Sequence, residues 1–411
     1  MKRHLYIAAA FILLLASLGI AQSLLSGVAL AQNRAAVQAP RFEVDPFWPK
    51  PLPNKWLLGS AIGVWVDSQD NVWMVHRAND EGNLDATERG LTTKVAECCA
   101  PAPPVVVFDR QGNVVRHWGG PGQGYDWPTS NHGIFVDHTG NVWIGGNGPG
   151  DSQVLKFTRE GKFLAQYGKP NVRVSGKNEK TGQNQYQANS HDPANFGRVA
   201  KIFVDPKANE AYLADGYLNH RVAVLDAASG KLKRYWGAYG AKPDDTPLKP
   251  YDPAAPPDKQ FRNPVHCADM SKDGLVYACD RVNNRIQVFK PDGTFVNELI
   301  IAKNTRAAGA VWDIAFSHDP QQRFLYVADG QNQRVYVVDR AKMQLLTSFG
   351  DGGRYPGQFF GVHSIAVDSQ GNVYTTETYE GKRVQKFVNK GLVNITQEHQ
   401  GTVWPTSTAK K

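Results

Sequence analysis

Apolar and polar positions along the chain fall into one unit that recurs six times. Each unit is an apolar strand of five or six residues, a turn that is usually Asp/Ser-rich, and a second apolar strand. The copies are Ile62–Val75, His132–Gly145, Ala200–Ala214, His266–Ala278, Asp313–Ala328 and His363–Thr376. Several run on through an Asn/Asp-rich turn and an Arg into a third strand, as in Asp215–Leu225, Asp280–Phe289 and Asp329–Val338. A fourth strand follows a Gly turn such as Asp292-Gly293, and the doublets Trp118-Gly119, Tyr167-Gly168, Trp236-Gly237 and Phe349-Gly350 mark strand ends between units. Short strands set off by Gly, Asn and Asp predict an all-β meander. Four strands per unit and six units predict a six-bladed β-propeller. A linear array of the same units is the competing arrangement. Ring closure is favoured because it leaves no terminal blade exposed.

The turn residues Asp67, Asp137, Asp205, Ser271, His318 and Asp368 serve as register marks, spaced 70, 68, 66, 47 and 50 residues apart. The early units therefore carry insertions, and two are visible as polar surface loops: Pro170–Arg198 and Ala241–Arg262. The propeller is expected over residues 58–392, with an N-terminal extension over 33–57 and a tail over 393–411. Within the extension, Arg41–Trp56 is a candidate strand for the last blade. Residues 1–32 read as a cleaved signal peptide: Lys2, Arg3 and His4, an apolar run from Leu5 to Ile20, and Ala29-Leu30-Ala31 before Gln32. The alternative is an uncleaved anchor, for which the apolar run is short. The expectation is an exported protein, periplasmic or secreted, off the membrane after cleavage and monomeric.

Composition changes this picture little. Hydrophobic residues are 41% and charged residues 20% of 411, which suits a folding chain. Gly 39 and Pro 25 suit a turn-rich fold. A formal charge of +8, with no Lys/Arg block, excludes nucleic acid as the main partner. Export makes disulfides possible. Cys267 and Cys279 oppose each other across a hairpin turning at Lys272-Asp273-Gly274, so a disulfide fits there. Cys98 and Cys99 are open to a vicinal bond, another pairing or none.

The first strand of a blade lines the central channel. Five residues before each register mark stand Ile62, His132, Ala200, His266, Asp313 and His363. The histidines occupy blades two, four and six, so three imidazoles converge on the axis with trigonal symmetry. That set suits Zn²⁺ with its fourth position open to water or substrate; the competing reading is a wet channel lined by polar side chains. Arg77, Tyr217 and Arg281 follow second strands, at one mouth of the channel. The arginines offer a fork for a carboxylate, or a salt bridge between blades, and a Tyr beside Zn²⁺ and Arg is placed to act as a base. Arg221, Arg285, Arg334 and Arg383 recur at one repeat position and read as structural.

Val75-His76-Arg77, Asn131-His132-Gly133-Ile134, Asp215-Gly216-Tyr217-Leu218-Asn219, Val265-His266, Asp280-Arg281 and Val362-His363 carry a resemblance over roughly residues 58–390. The chain resembles the NHL-type six-bladed propellers, and more narrowly the catalytic core of the peptidyl-α-hydroxyglycine α-amidating lyases (peptidylamidoglycolate lyases). The resemblance implies a zinc site at His132, His266 and His363, a catalytic Tyr217, and Arg77 and Arg281 on the substrate. It implies a small-molecule or peptide-derived substrate, a carbinolamide cleaved to an amide and glyoxylate. The chain departs from the family at three positions. Gly361 replaces a Met, Leu218 a disulfide Cys, and Ser364 an Asp associated with structural Ca²⁺, which puts Ca²⁺ in doubt. A metal-dependent, lactonase-like hydrolase and a non-enzymatic ligand-binding propeller are the alternatives.

Overall fold

The computed structural model describes residues 37–78 and 84–405. The expected signal segment lies outside them. Six four-stranded antiparallel sheets stand around one axis. Blade 1 has strands Ala61–Val66, Val72–His76, Val105–Phe108 and Val114–Trp118, and blade 2 has Asn131–Val136, Val142–Gly146, Gln153–Phe157 and Phe163–Gly168. Blade 3 has Val199–Asp205, Glu210–Asp215, Arg221–Asp226 and Leu232–Trp236. Blade 4 has Val265–Met270, Val276–Asp280, Arg285–Phe289 and Phe295–Ile300, and blade 5 has Asp313–Phe316, Phe324–Asp329, Arg334–Asp339 and Gln344–Phe349. Blade 6 takes three strands from the end of the sequence, Val362–Val367, Val373–Glu377 and Arg383–Asn394. Its outer strand, Gln38–Asp45, comes from the beginning, pairing Gln38 with Asn394 and Asp45 with Lys386. The closing strand starts three residues before the predicted segment and ends well before Trp56.

The turn chemistry explains the register marks. Asp67 accepts the backbone N–H groups of Gln69 and Asn71 and the indole N–H of Trp73. Asp137 repeats this with Thr139, Asn141 and Trp143, and Asp368 with Gln370, Asn372 and the Tyr374 hydroxyl. One carboxylate thus closes an Asx turn and pins an aromatic six residues on. The recurrent arginines tie strand three to strand two: Arg221 to Asp215, Arg285 to Asp280 and Arg383 to Glu377, each at 2.7 Å. Arg334 differs, and its Nε donates to the Asn332 carbonyl.

Apolar burial is distributed over six wedges, one between each pair of neighbouring blades. The closing strand contributes Ala39, Phe42 and Val44 to the wedge between blades 5 and 6. The strand order also sorts the loops. Connections from strand two to three, and from strand four to the next blade, leave at one end of the channel, here called the upper end. Pro170–Arg198 and Ala241–Arg262 are both of this kind. So is a third insertion, between His76 and Val105, which holds the short helix Gly90–Thr93 and a vicinal disulfide, Cys98–Cys99. At the lower end the connections from strand one to two and from strand three to four are tight turns. No helix of the described residues is long and apolar enough to cross a membrane.

Phe42 is 3% exposed and packs on Tyr326 and Phe349, with ring centroids 5.4 and 4.9 Å away. Phe42→Ala should cost about 3–5 kcal/mol through the cavity it leaves in the closing seam. The denaturant midpoint of the variant against the parent measures this.

Candidate metal centre on the propeller axis

Five of the six first strands carry a register shift at the channel position: between Ala61 and Gly63, His132 and Ile134, Val199 and Ile202, Val265 and Cys267, and Val362 and Ser364. A bulge leaves an extra residue outside the ladder and re-aims it. His266 and His363 are themselves those extra residues. In blade 2 the extra residue is Gly133, with φ of +58°, and a Cβ there would stand 2.4 Å from the Ala200 carbonyl oxygen. Only glycine lets His132 sit this close to blade 3.

The bulges bring the three rings together in a near-equilateral triangle. Centroid separations are 5.1 Å for His132–His266 and 4.8 Å for each of the other pairs. All three side chains are buried, and one ligating nitrogen from each lies within 4.8 Å of the others. Each Nδ1 faces a backbone carbonyl: that of Ala200 for His132 at 2.7 Å, Trp312 for His266, and Ile62 for His363 at 2.6 Å. A carbonyl only accepts, so each Nδ1 carries the proton and each Nε2 presents a lone pair inward. Burial pushes all three imidazoles well below the usual histidine range, His363 to about 3. The neighbouring Arg77 and Arg281 push His132 and His363 the same way, and Arg281 does so for His266. The rings are therefore neutral.

Tyr217 Oη lies 3.0 Å from His132 Nε2 and 2.9 Å from His266 Nε2. A phenol has one proton, so it can serve only one of these two lone pairs. Arg281 Nη1 donates to Tyr217 Oη at 3.2 Å, and its guanidinium lies 4.5 Å above the Trp312 ring. Arg281 Nε is buried with no hydrogen-bond partner among the described residues. Arg77 Nη2 donates to Asn147 Oδ1 at 2.8 Å, and Ser130 holds the same oxygen from the other side at 2.9 Å. Thus the six residues read from the sequence gather at the upper mouth, Arg77 through the field it exerts on the rings.

The Cys267–Cys279 pair is bonded directly beneath His266, between residues opposite each other across the hairpin. His76 resolves as structural. Its Nδ1 accepts the Gly59 N–H at 3.1 Å and its Nε2 donates to the Pro103 carbonyl at 3.0 Å.

No protein-family model matches the chain. NHL repeat-containing protein 3 of Mus musculus is 25% identical over 372 residues, covering 86% of this chain and 85% of that protein. The chain is a six-bladed propeller with NHL-repeat proteins among its homologues. The peptidylglycine α-amidating monooxygenase of Rattus norvegicus is 24% identical over 342 residues, covering 80% of this chain. The match spans only 30% of that enzyme's length. Among solved structures, a protein of unknown function from Bacteroides thetaiotaomicron VPI-5482 aligns with a TM-score of 0.50 and 13% identity. That alignment covers 86% of this chain and 77% of the other, and speaks for the fold alone.

Sequence reading missed what lies next to the histidines in this propeller. Lys201 is buried, with Nζ at 2.7 Å from Asp269 and 2.5 Å from Asp313. Asp313 also accepts the Ser364 hydroxyl at 2.6 Å. Burial alone would lower the Lys201 pKa, but the two carboxylates hold it above the usual lysine range. The chemistry of this cluster does not suit calcium: Ser364 supplies a hydroxyl where calcium would want a carboxylate, and an ammonium already lies between the two acids. Cys267, whose sulfur lies within 4.8 Å of the two acids, is committed to its disulfide. The available signal was Asp313 itself, a carboxylate at a channel position.

Lys201→Met should destabilise the fold by about 3–5 kcal/mol, because two buried carboxylates lose their counter-charge. Urea unfolding at neutral pH tests it, and an unchanged midpoint would refute the pairing.

Proposed function

We propose that this propeller is a zinc-dependent carbon–nitrogen lyase of the peptidylamidoglycolate-lyase type. One observation carries the reading: three neutral imidazoles with inward lone pairs meet a tyrosine hydroxyl and an arginine at a single point. The phenolic proton satisfies one lone pair, and Arg281 spends its donor on the phenol, so the rest of that electron-rich hollow is matched by a cation. Three His nitrogens with Nδ1–H fixed by carbonyls form a ligand set that suits Zn²⁺, and His132, His266 and His363 would hold it. Bound there, zinc supplies Lewis acidity toward a substrate oxygen.

The chain's own groups account for the rest. Arg281, with Arg77 across the mouth, binds the carboxylate of an N-acyl-α-hydroxyglycine. Trp312 and Tyr217 flank Arg281 and fix the direction of its fork. Tyr217, whose phenolic proton leaves when the ring nitrogens hold a metal, acts as the phenolate and takes the carbinol proton. The oxygen's electron pair forms the new C=O as the C–N bond breaks, and the proton passes to the departing amide nitrogen. The products are a primary amide and glyoxylate, with no water, oxidant or reductant consumed. Burial of the histidines keeps bulk water from competing for the proton. A lactonase-like calcium hydrolase finds less support, since the axial carboxylates are already paired with Lys201. The match to the rat monooxygenase agrees with the lyase reading but spans under a third of that enzyme.

Elemental analysis of untagged protein should find about one zinc per chain, and His266→Ala should lose it while keeping a cooperative unfolding transition. Full zinc retention in that variant would refute the three-histidine site. Tyr217→Phe should keep its zinc and release glyoxylate from an N-acyl-α-hydroxyglycine about 10²–10⁴ times more slowly. Unchanged turnover would remove Tyr217 from the chemistry.

A further inference from the structure

The axis holds a second chamber, at the lower end, of about 810 Å³. The Lys201 cluster separates it from the histidines. Asp313 borders the small void among the three rings, and the next residue, Ile314, already lines the lower chamber. Five blades contribute its apolar wall: Trp65, Phe203, Met270, Phe316 and Val367, all half-buried at the lower ends of first strands. This size and this lining are those of a small-molecule pocket.

Four carboxylates line the chamber, Asp67, Asp70, Asp205 and Asp269, and only the last belongs to the Lys201 cluster. Asp269 is 5% exposed, and its Oδ2 is taken by Lys201. Its Oδ1 is buried without a hydrogen-bond partner among the described residues. Leaving such an acceptor unmet is unfavourable, because it has given up its hydration without a replacement donor. Asp313 offers no comparable vacancy, because its oxygens receive Lys201, Ser364 and the N–H groups of Ile314 and Ile365. One ammonium between two carboxylates leaves the cluster with a net charge of −1. The rim charges are largely spoken for. Asp67 pairs with Arg159, Asp70 with Arg110, and Lys272 Nζ donates to the His318 and Asp319 carbonyls. Lys207 lines the chamber from an exposed turn position, and Asp205 accepts the backbone N–H groups of Lys207 and Ala208.

We propose that the lower chamber is a binding site for an organic ammonium ion with an apolar body, its N–H donated to Asp269 Oδ1. A metal ion is a poor fit, because a single free carboxylate oxygen falls far short of a coordination shell. A charge-assisted N–H bond needs only that one oxygen. The half-buried ring of Trp65, Phe203, Met270, Phe316 and Val367 takes the apolar part. An anion would meet the net negative charge of the floor. The site is independent of the lyase chemistry, which lies across the Lys201 cluster.

Calorimetric titration of the full chain with 2-phenylethylamine, 2-phenylethanol and 3-phenylpropanoate tests the proposal. The amine should bind saturably at one per chain, at least about tenfold tighter than the alcohol, with no measurable binding of the carboxylate. Asp269→Asn should bring the amine down to the level of the alcohol. Ala315→Trp, which fills the chamber without touching the charge cluster, should abolish amine binding and leave the metal content unchanged. Absence of saturable amine binding, as water on Oδ1 would give, overturns the proposal. So does equal affinity for the alcohol, or amine binding that survives Ala315→Trp.

Discussion

Three hydrogen bonds decide what the axis of this propeller can do. Each runs from a histidine Nδ1 to a carbonyl on the first strand of the next blade, or immediately before it. They set the tautomer, turn the remaining nitrogen inward, and join blade 2 to 3, 4 to 5 and 6 to 1. Site and ring are thus one structure: blades 2 and 3, 4 and 5, or 6 and 1 cannot shift against each other without tilting an imidazole. Acceptors that hold the far nitrogen of a histidine usually serve a ligand set, and here the backbone of the fold provides them without dedicated side chains. The pairing alternates around the ring, so each histidine has a different neighbour to lean on.

Charge is arranged in layers along the same axis. Arginines lie at the upper mouth, neutral imidazoles below them, then the Lys201–Asp269–Asp313 cluster, then an apolar wall. Each layer makes sense of the next. The arginines and burial keep the imidazoles uncharged, and the carboxylates allow an ammonium to remain charged in a place where burial opposes it. A channel that could have been a continuous pore is closed by this cluster into two rooms with different chemistry.

Much of this was legible in the residues. A polar side chain recurring at one position of an otherwise apolar strand is a strong signal, and it located His132, His266 and His363. Asp-Gly-Tyr placed Tyr217 at the mouth because strand two ends at Asp215. Lys201 was hidden for a physical reason. A lysine inside an apolar strand reads as an outward, solvated position, and only the bulge over Ala200 and Lys201 turns it to the axis. Bulges break the alternation that sequence reading relies on. The closing strand was seen late for a related reason. Pro40 and Arg41 interrupt its pattern, which an edge strand tolerates and an inner one would not. The insertion after His76 escaped because its short helix and paired cysteines carry no repeat signal.

The closing strand has a further consequence for the order of events in the cell. Gln38–Asp45 is among the first parts of the propeller to be synthesised, and its partner, Arg383–Asn394, is the last strand to be made. At about 5–20 residues per second, the first waits roughly 20–70 s for the second. Until then a hydrogen-bonding edge and the side chains of Phe42 and Val44 stay without their native cover, while five blades can already stack. The seam is therefore the interval in which a chaperone or a second nascent chain would compete for this protein, and the pairing of these two strands is what ends that competition.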